Sequence, residues 1–341
     1  MYVQISTVIL FDIYHLPQWN FLKNTINATP ENERIVCCVD RSRLRSIIDA
    51  ELEGGSVNCF GSYKYNFNFL SMIMLIIVPR IVWLMWMIRK HKVKFVVSAN
   101  YQSNLAAKFF STRNIVFNDD PRKGVIQLAK FAADRVYVTK GFSIEGTSTL
   151  NCLKEWAYLN PKYFTPDLKA LQHYGVEPFS YIMGREVSTN TTNYYDQETD
   201  QLIHCECPSN ERILISLEDK SKRDLLKDNW TLLQEPIKDI HSLMFFSKGF
   251  LSTGDSMARE AAELGVPAYY AGARNMIANQ ILIDMGLMKH ASAQSALSEI
   301  ASLEIDDVEK EIARREEVRN RIANEWDDVN KIIEKEIEYN R

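Results

Sequence analysis

The stretch Leu251-Ser-Thr-Gly-Asp-Ser-Met-Ala-Arg-Glu-Ala-Ala-Glu-Leu-Gly-Val-Pro267 decides how this chain folds. An apolar strand runs into the small residues Gly254, Asp255 and Ser256. Good helix formers follow, and Gly265 is the natural stop of that helix. Val266-Pro267 then opens the next strand. A helix that begins directly after a buried strand points free N–H groups and its positive dipole end at the sheet edge, where a phosphate is well received. The same pattern is also what an ordinary N-cap at Asp255 or Ser256 produces.

Outward from this unit the alternation continues. Phe179–Gly184, Arg212–Leu217, Gly249–Ser252 and Ala268–Ala271 read as strands of the second half. Val3–Asp12, Arg34–Asp40, Val93–Ser98, Asn114–Asn118 and Arg135–Thr139 read as strands of the first. Helical patterns lie between, at Leu22–Ile26, from an N-cap at Ser42 to Leu52, at Gln102–Phe110 and at Lys123–Ala133. Strands that alternate with helices predict α/β architecture with doubly wound parallel sheets. The aromatic, proline-punctuated stretch Glu155–Asp167 reads as an ordered connector. The charged tail from about Asp306 to Tyr339 carries Ile322, Trp326, Val329 and Ile333 on one face and predicts one long terminal helix.

Composition sets bounds. The chain has 341 residues, 46% hydrophobic and 25% charged, with a net charge of −4. That is globular, and it argues against a duplex nucleic-acid binder. Six scattered cysteines give no disulfide framework, which fits a reducing cytoplasm. Met1–Leu10 has no basic start, so no secretory leader is expected. Phe69–Ile88 is as long and apolar as a membrane span, but Pro79-Arg80 falls at its middle. It reads as a buried crossover helix, or as a helix lying on an anionic membrane surface beside the basic Arg89–Lys92.

Candidate ligand residues gather at strand ends, where open α/β sheets bind ligands. In the second half these are Arg185, placed for a diphosphate, the polar loop Ser188–Asp196, and His241, which could face a base or sugar. In the first half they are Asp12 with His15, Ser98 with Asn100, and Asn118-Asp119-Asp120. Asp119 or Asp120 could serve as a general base, or simply cap a turn before Pro121. His204-Cys-Glu-Cys207 lacks the partners of a zinc site, and no metal is expected.

Together these segments resemble a family of archaeal and bacterial GT-B-like predicted glycosyltransferases, known as a domain of unknown function. The resemblance rests on Asp12–Lys23, Ile115–Asp119, Lys154–Asp167, Arg185–Ser188 and most of all Gly254–Pro267. That family is similar in turn to non-hydrolysing nucleotide-sugar 2-epimerases. The resemblance implies two Rossmann-like domains facing across a cleft: residues 1–165 on the acceptor side, 166–305 binding nucleotide, and 306–341 as a helix packing across both. It implies a donor diphosphate at Gly254, Asp255, Ser256 and Met257, with ribose hydroxyls on Glu260. The expected activity is sugar transfer from a UDP-sugar to a glycan or lipid-linked acceptor, in surface polysaccharide synthesis. The nucleotide-sugar is a substrate, and no cofactor is expected. Asp12, His15 and Asp119 are the candidate bases, and Asn100, Asn118 and Asp120 line the acceptor side. The alternatives are a nucleotide-sugar 2-epimerase or a non-catalytic binder of nucleotide or glycan. The expected location is the cytoplasm, with peripheral membrane contact through Phe69–Ile88. Where the family has a second glycine this chain has Asp255, whose carboxylate would repel a diphosphate unless it turns away.

Overall fold

The computed structural model describes residues 7–41, 43–62, 76–120, 122–188, 201–234 and 237–339. The start of the first predicted strand, the cap at Ser42, residues 69–75 of the apolar run and residues 189–196 of the polar loop lie outside them. The chain divides into two compact units, Met1–Tyr158 with Asp327–Arg341, and Leu159–Trp326.

The first unit is built from β1 (Ile9–Ile13), α1 (Leu16–Ala28), β2 (Arg34–Asp40), α2 (Leu44–Glu51), β3 (Val57–Ser62), α3 (Val78–Lys90), β4 (Phe95–Ser98), α4 (Gln102–Lys108), β5 (Arg113–Asn118), α5 (Lys123–Ala132), β6 (Arg135–Val138) and the short β7 (Ser148–Thr149). Its sheet is parallel, in the order β3-β2-β1-β4-β5-β6-β7. The central strands are buried throughout, as a sheet covered on both faces requires. The winding reverses between β1 and β4. The helices after β3, β4 and β5 therefore lie on one face, and α1 and α2 on the other.

The second unit repeats the plan. After the short helix α6 (Trp156–Leu159), which ends at the boundary of the two units, come α7 (Lys169–Gln172), β8 (Tyr181–Glu186), β9 (Arg212–Leu217), β10 (Trp230–Leu232), α8 (Ile240–Phe245), β11 (Phe250–Ser252), α9 (Asp255–Glu263), β12 (Ala268–Tyr270), α10 (Ile277–Asp284), β13 (Met288–His290), α11 (Ala293–Ala301) and α12 (Val308–Glu325). The strand order is β10-β9-β8-β11-β12-β13, again parallel, with the reversal between β8 and β11. Two Rossmann-like sheets are thus present, as the alternation predicted. Gly265 ends α9 at φ +74°, and a Cβ there would lie 3.0 Å from the Arg315 carbonyl oxygen. Only glycine meets both demands.

The expected single terminal helix is two. Helix α12 ends at Trp326, whose backbone is extended (φ −101°, ψ 152°), and α13 (Val329–Tyr339) belongs to the first unit. The break is fixed by a contact with a residue far upstream. Asp327 accepts the Asn151 N–H at 2.6 Å and donates its own N–H to the Asn151 carbonyl at 3.2 Å. Asp328 then accepts the Lys331 N–H at the start of the new helix. Inside the first unit, Asn330 of α13 donates to the Ala157 carbonyl at 2.8 Å.

The apolar run resolves into α3, with Pro79 in its first turn, where a missing N–H costs nothing. No helix among the described residues is long and apolar enough to cross a membrane. Arg80 explains the charge at the centre of that run. It is wholly buried and holds Asp12 at the end of β1 with two hydrogen bonds, at 2.5 and 3.1 Å, while also donating to Gln102 at 2.7 Å. The pair fastens the crossover helix to the switch point of the sheet. Arg80→Met keeps the packing volume but leaves a buried carboxylate without its counter-charge. The expected loss of stability is about 3–5 kcal/mol, read from urea unfolding, with a partial recovery when Asp12→Leu is added. An unchanged midpoint in Arg80→Met would refute this role.

Candidate functional site

The second unit brings its strand ends together around the start of α9. Ser252, last residue of β11, is flanked by Arg185 of β8 and Tyr270 of β12 in register. Its hydroxyl bonds the Gly254 carbonyl and accepts the Gly254 N–H, at 2.7 and 2.9 Å. The Thr253 N–H donates to the Arg185 carbonyl at 3.0 Å, and the Thr253 hydroxyl oxygen accepts the Val187 N–H at 3.0 Å. The turn is thereby pinned to the neighbouring strand before the helix begins. Gly254 is the N-cap in an extended conformation and supplies no capping side chain. Beneath the turn, a Cβ on Gly272 would stand 2.3 Å from the Thr253 carbonyl oxygen. The two backbones pack so closely that only glycine fits.

Asp255 occupies the first position of α9 and is buried. Its carboxylate meets Arg259 at 3.3 Å and Arg274 at 3.2 Å, and also accepts the Ser256 N–H at 3.1 Å. Arg259, itself buried, donates to Asn279 at 2.9 Å and to the Ser256 hydroxyl at 3.2 Å. The carboxylate that would have repelled a phosphate is therefore turned onto two guanidinium groups. One turn further on, Glu260 lies 3.4 Å from the imidazole of His241, which abuts the ring of Phe164 edge to face. His241 and Glu260 come from α8 and α9, so the two sequence candidates share one place. Arg185 is drawn the other way, donating to the Ser216 hydroxyl on β9 at 2.5 Å.

In the first unit the candidates fall at the carboxyl edge, mostly in ionic contacts. Asp12 is buried against Arg80, and its carbonyl accepts the Asn100 side-chain N–H at 3.1 Å. The Ser98 hydroxyl lies between Asn104 and the Asn100 carbonyl. Asn118 and Asp120 bond each other through side chain and backbone at 2.9 and 3.1 Å, and Asp120 pairs with Arg122. Asp119, half exposed, pairs with Lys154. His15 contacts Arg41. Burial first, and then the Arg41 charge, push its pKa down to about 4 against an opposing pull from Asp119. Its imidazole is neutral at pH 7. Tyr101, beside Asp119 and Asp120, is pushed up to about 12, chiefly by burial.

With the strand orders and this edge in view, comparison with known structures is informative. The chain shares its fold with UDP-GlcNAc 2-epimerases. It aligns with the S. aureus MnaA–UDP structure over 98% of this chain and 96% of that one, at 15% identity and a TM-score of 0.66. It aligns with UDP-GlcNAc 2-epimerase from Neisseria meningitidis bound to UDP-GlcNAc over 96% and 99%, at 14% identity and a TM-score of 0.62. Anabaena HepE in complex with UDP and glucose aligns over 98% and 100%, at 17% identity and a TM-score of 0.61. No family model and no curated protein matches the sequence. These findings correct the expectation of glycosyl transfer. Similar structures from Neisseria meningitidis, Rickettsia bellii and Methanocaldococcus jannaschii are named as UDP-GlcNAc 2-epimerases.

Two site residues escaped the sequence reading, Arg259 and Arg274. Arg259 lies four residues after Asp255, the spacing of an ion pair on one helical face, so that signal was present. Arg274 follows the strand Ala268–Tyr270 and meets Asp255 only through the fold. Asp255→Gly would remove the carboxylate that meets both Arg259 and Arg274 and should cost about 3 kcal/mol of stability, measured by denaturant unfolding. An unchanged midpoint would remove the ion cluster from the argument. His15 makes a second prediction. The unfolded chain takes up a proton near the ordinary 6.5 and the folded chain only near 4. Stability should therefore fall as pH drops through that window and be flat above it. His15→Gln should flatten the profile; a wild-type profile already flat between those pH values would contradict the burial.

Proposed function

We propose that this protein is a non-hydrolysing nucleotide-sugar 2-epimerase acting on a UDP-sugar of the N-acetylhexosamine type. The carrying observation is the start of α9. There a pinned turn, a helix N-terminus and the ion cluster of Asp255, Arg259 and Arg274 adjoin Glu260 and His241. A uridine diphosphate offers complementary groups. Its phosphates match the helix start and Arg274, and its ribose hydroxyls can donate to Glu260 one turn along. Inversion at C2 balances as an elimination and re-addition: a base takes the C2 proton while the C1–O bond to UDP breaks and C1=C2 forms, and a proton is then returned to the other face of C2 as UDP re-adds at C1, which requires groups that take and return a proton. His15 and Asp119 are the groups we assign to that task. His15 is neutral and can accept a proton, and Asp119 retains an exposed carboxylate. Asp12, bidentate to Arg80, is assigned a supporting role instead. Arg185, turned to Ser216, would reach a phosphate only after breaking that bond.

One observation favours a second reading, a nucleotide-binding protein without turnover. Of the carboxylates at the carboxyl edge of the first unit, Asp12, Asp119 and Asp120 each already face a cation. Each would have to give up that contact before it could reach a substrate.

The two readings separate in one experiment. Incubation with UDP-GlcNAc in deuterated water should yield the C2 epimer, with deuterium at C2, if the protein is an epimerase. Binding without exchange would leave the second reading standing. In either case Glu260→Ala should weaken UDP binding by about 1.5–3 kcal/mol, the cost of a lost charged hydrogen bond, by calorimetry. Arg274→Ala should weaken it by about tenfold through loss of a charge-assisted contact. If UDP does not bind the wild type at all, both readings fail.

A further inference from the structure

The first unit carries a second surface, at the edge opposite its candidate ligand residues. Every connection in its sheet is parallel, so each helix runs back against the strands and ends at their amino edge. Helices α3, α4 and α5 share one face of the sheet. Their last turns therefore come to the same corner, and residues of α3 and α5 also pack with α4. This corner is apolar where solvent should meet polar groups. Val78, Val82 and Trp86 repeat at every fourth residue along the outward face of α3, so that face is an exposed apolar stripe, not a buried one. Trp86 is 52% exposed, Phe109 after α4 is 71% exposed, and Phe131 at the end of α5 is 62% exposed. Single exposed hydrophobic residues are ordinary; three large aromatics from three adjacent helix ends are not.

Cations are interleaved with these rings. The Lys90 ammonium lies 4.5 Å from the centre of the Trp86 ring, and the Lys108 ammonium lies 3.6 Å from the centre of Phe131. Lys108 also donates to the Phe131 carbonyl, which ties the ends of α4 and α5 together. Arg89, Lys92, Lys94 and Arg113 are exposed around them. The nearby carboxylate of Asp134 is turned onto the Asn114 N–H at 2.9 Å.

We propose that this corner docks the protein on an anionic lipid surface. The occupant follows from charge. Aromatic rings sit well at the headgroup level, and a ring of lysines and arginines is drawn to acidic headgroups. A second copy of this chain fits poorly, because a two-fold contact through this face would press the same cations against each other. The surface differs from the one the sequence suggested. Trp83 stacks on Phe60 with ring centres 5.2 Å apart and packs towards the core, so it is not part of the exposed face. The contact is carried instead by Trp86 with the ends of α4 and α5. Docking here leaves the carboxyl edge of the same sheet facing away from the lipid, open to soluble ligands.

The test is vesicle flotation of the full chain. Wild type should float with phosphatidylcholine vesicles containing phosphatidylglycerol, and its partition should fall about tenfold or more with pure phosphatidylcholine or in high salt. Trp86→Glu with Phe131→Glu should release it to the same extent while UDP affinity and melting temperature stay unchanged. Lys90→Glu with Lys94→Glu should do the same through charge alone. No flotation of wild type with anionic vesicles overturns the proposal. So does flotation that survives both double variants, or an oligomer in wild type that the variants dissolve without any vesicle binding. Because UDP affinity is read separately, failure here leaves the nucleotide site standing.

Discussion

A parallel sheet joined by right-handed crossovers can be wound only one way until the chain reverses, and at the reversal the two adjoining loops depart to opposite faces. That constraint fixes where this protein can hold a ligand. In the first unit the reversal falls between β1 and β4, and the chain fills it with the Asp12–Arg80 pair and the Asn100 side chain. In the second it falls between β8 and β11, and there the strand end runs directly into a helix through Thr253-Gly254. One switch point has been used to fasten the scaffold; the other presents a helix terminus.

What the second switch point can bind is decided by Asp255. An aspartate at the first helical position is favourable to the dipole on its own, yet hostile to an incoming diphosphate. Each contact with Arg259 and Arg274, at 3.3 and 3.2 Å, is worth about 5 kcal/mol of Coulomb attraction at an effective dielectric of about 20, before desolvation is counted. Two such contacts hold the carboxylate, which also accepts the Ser256 N–H, against the two guanidinium groups. Arg274 is the more exposed of the two, and so is the one whose charge an anion would meet. Arg259, fixed also by Asn279 and Ser256, serves as the anchor.

How far the sequence could be read follows from the length scale of each signal. The strands with unbroken apolar runs, such as Arg34–Asp40 and Arg212–Leu217, were legible to the residue. β3 was missed because Asn58 and Gly61 break its pattern, and β10 and β13 because three residues carry no period. The start of α9 was legible because a strand, small residues, helix formers and a terminal glycine all fall within one short window. The partners that give it its charge were not. Arg80 stands 68 residues from Asp12, and Arg274 stands 19 from Asp255, and only the fold joins them. The same holds for the terminal helix. Its apolar face continues smoothly through Trp326, and the break comes from Asn151, a residue far upstream.

The apolar run before Arg89 shows how one composition serves two ends. Read as a line of residues, it looked like a span or a core helix. In the fold α3 is half of each. Leu84, Met87 and Ile88 face the sheet and build the core with Val93 and Val96, while Val78, Val82 and Trp86 face outward. Burial of the inner face is enough to hold the helix, so its outer face is under no folding demand to be apolar. The cations at its end state which kind of surface would match it.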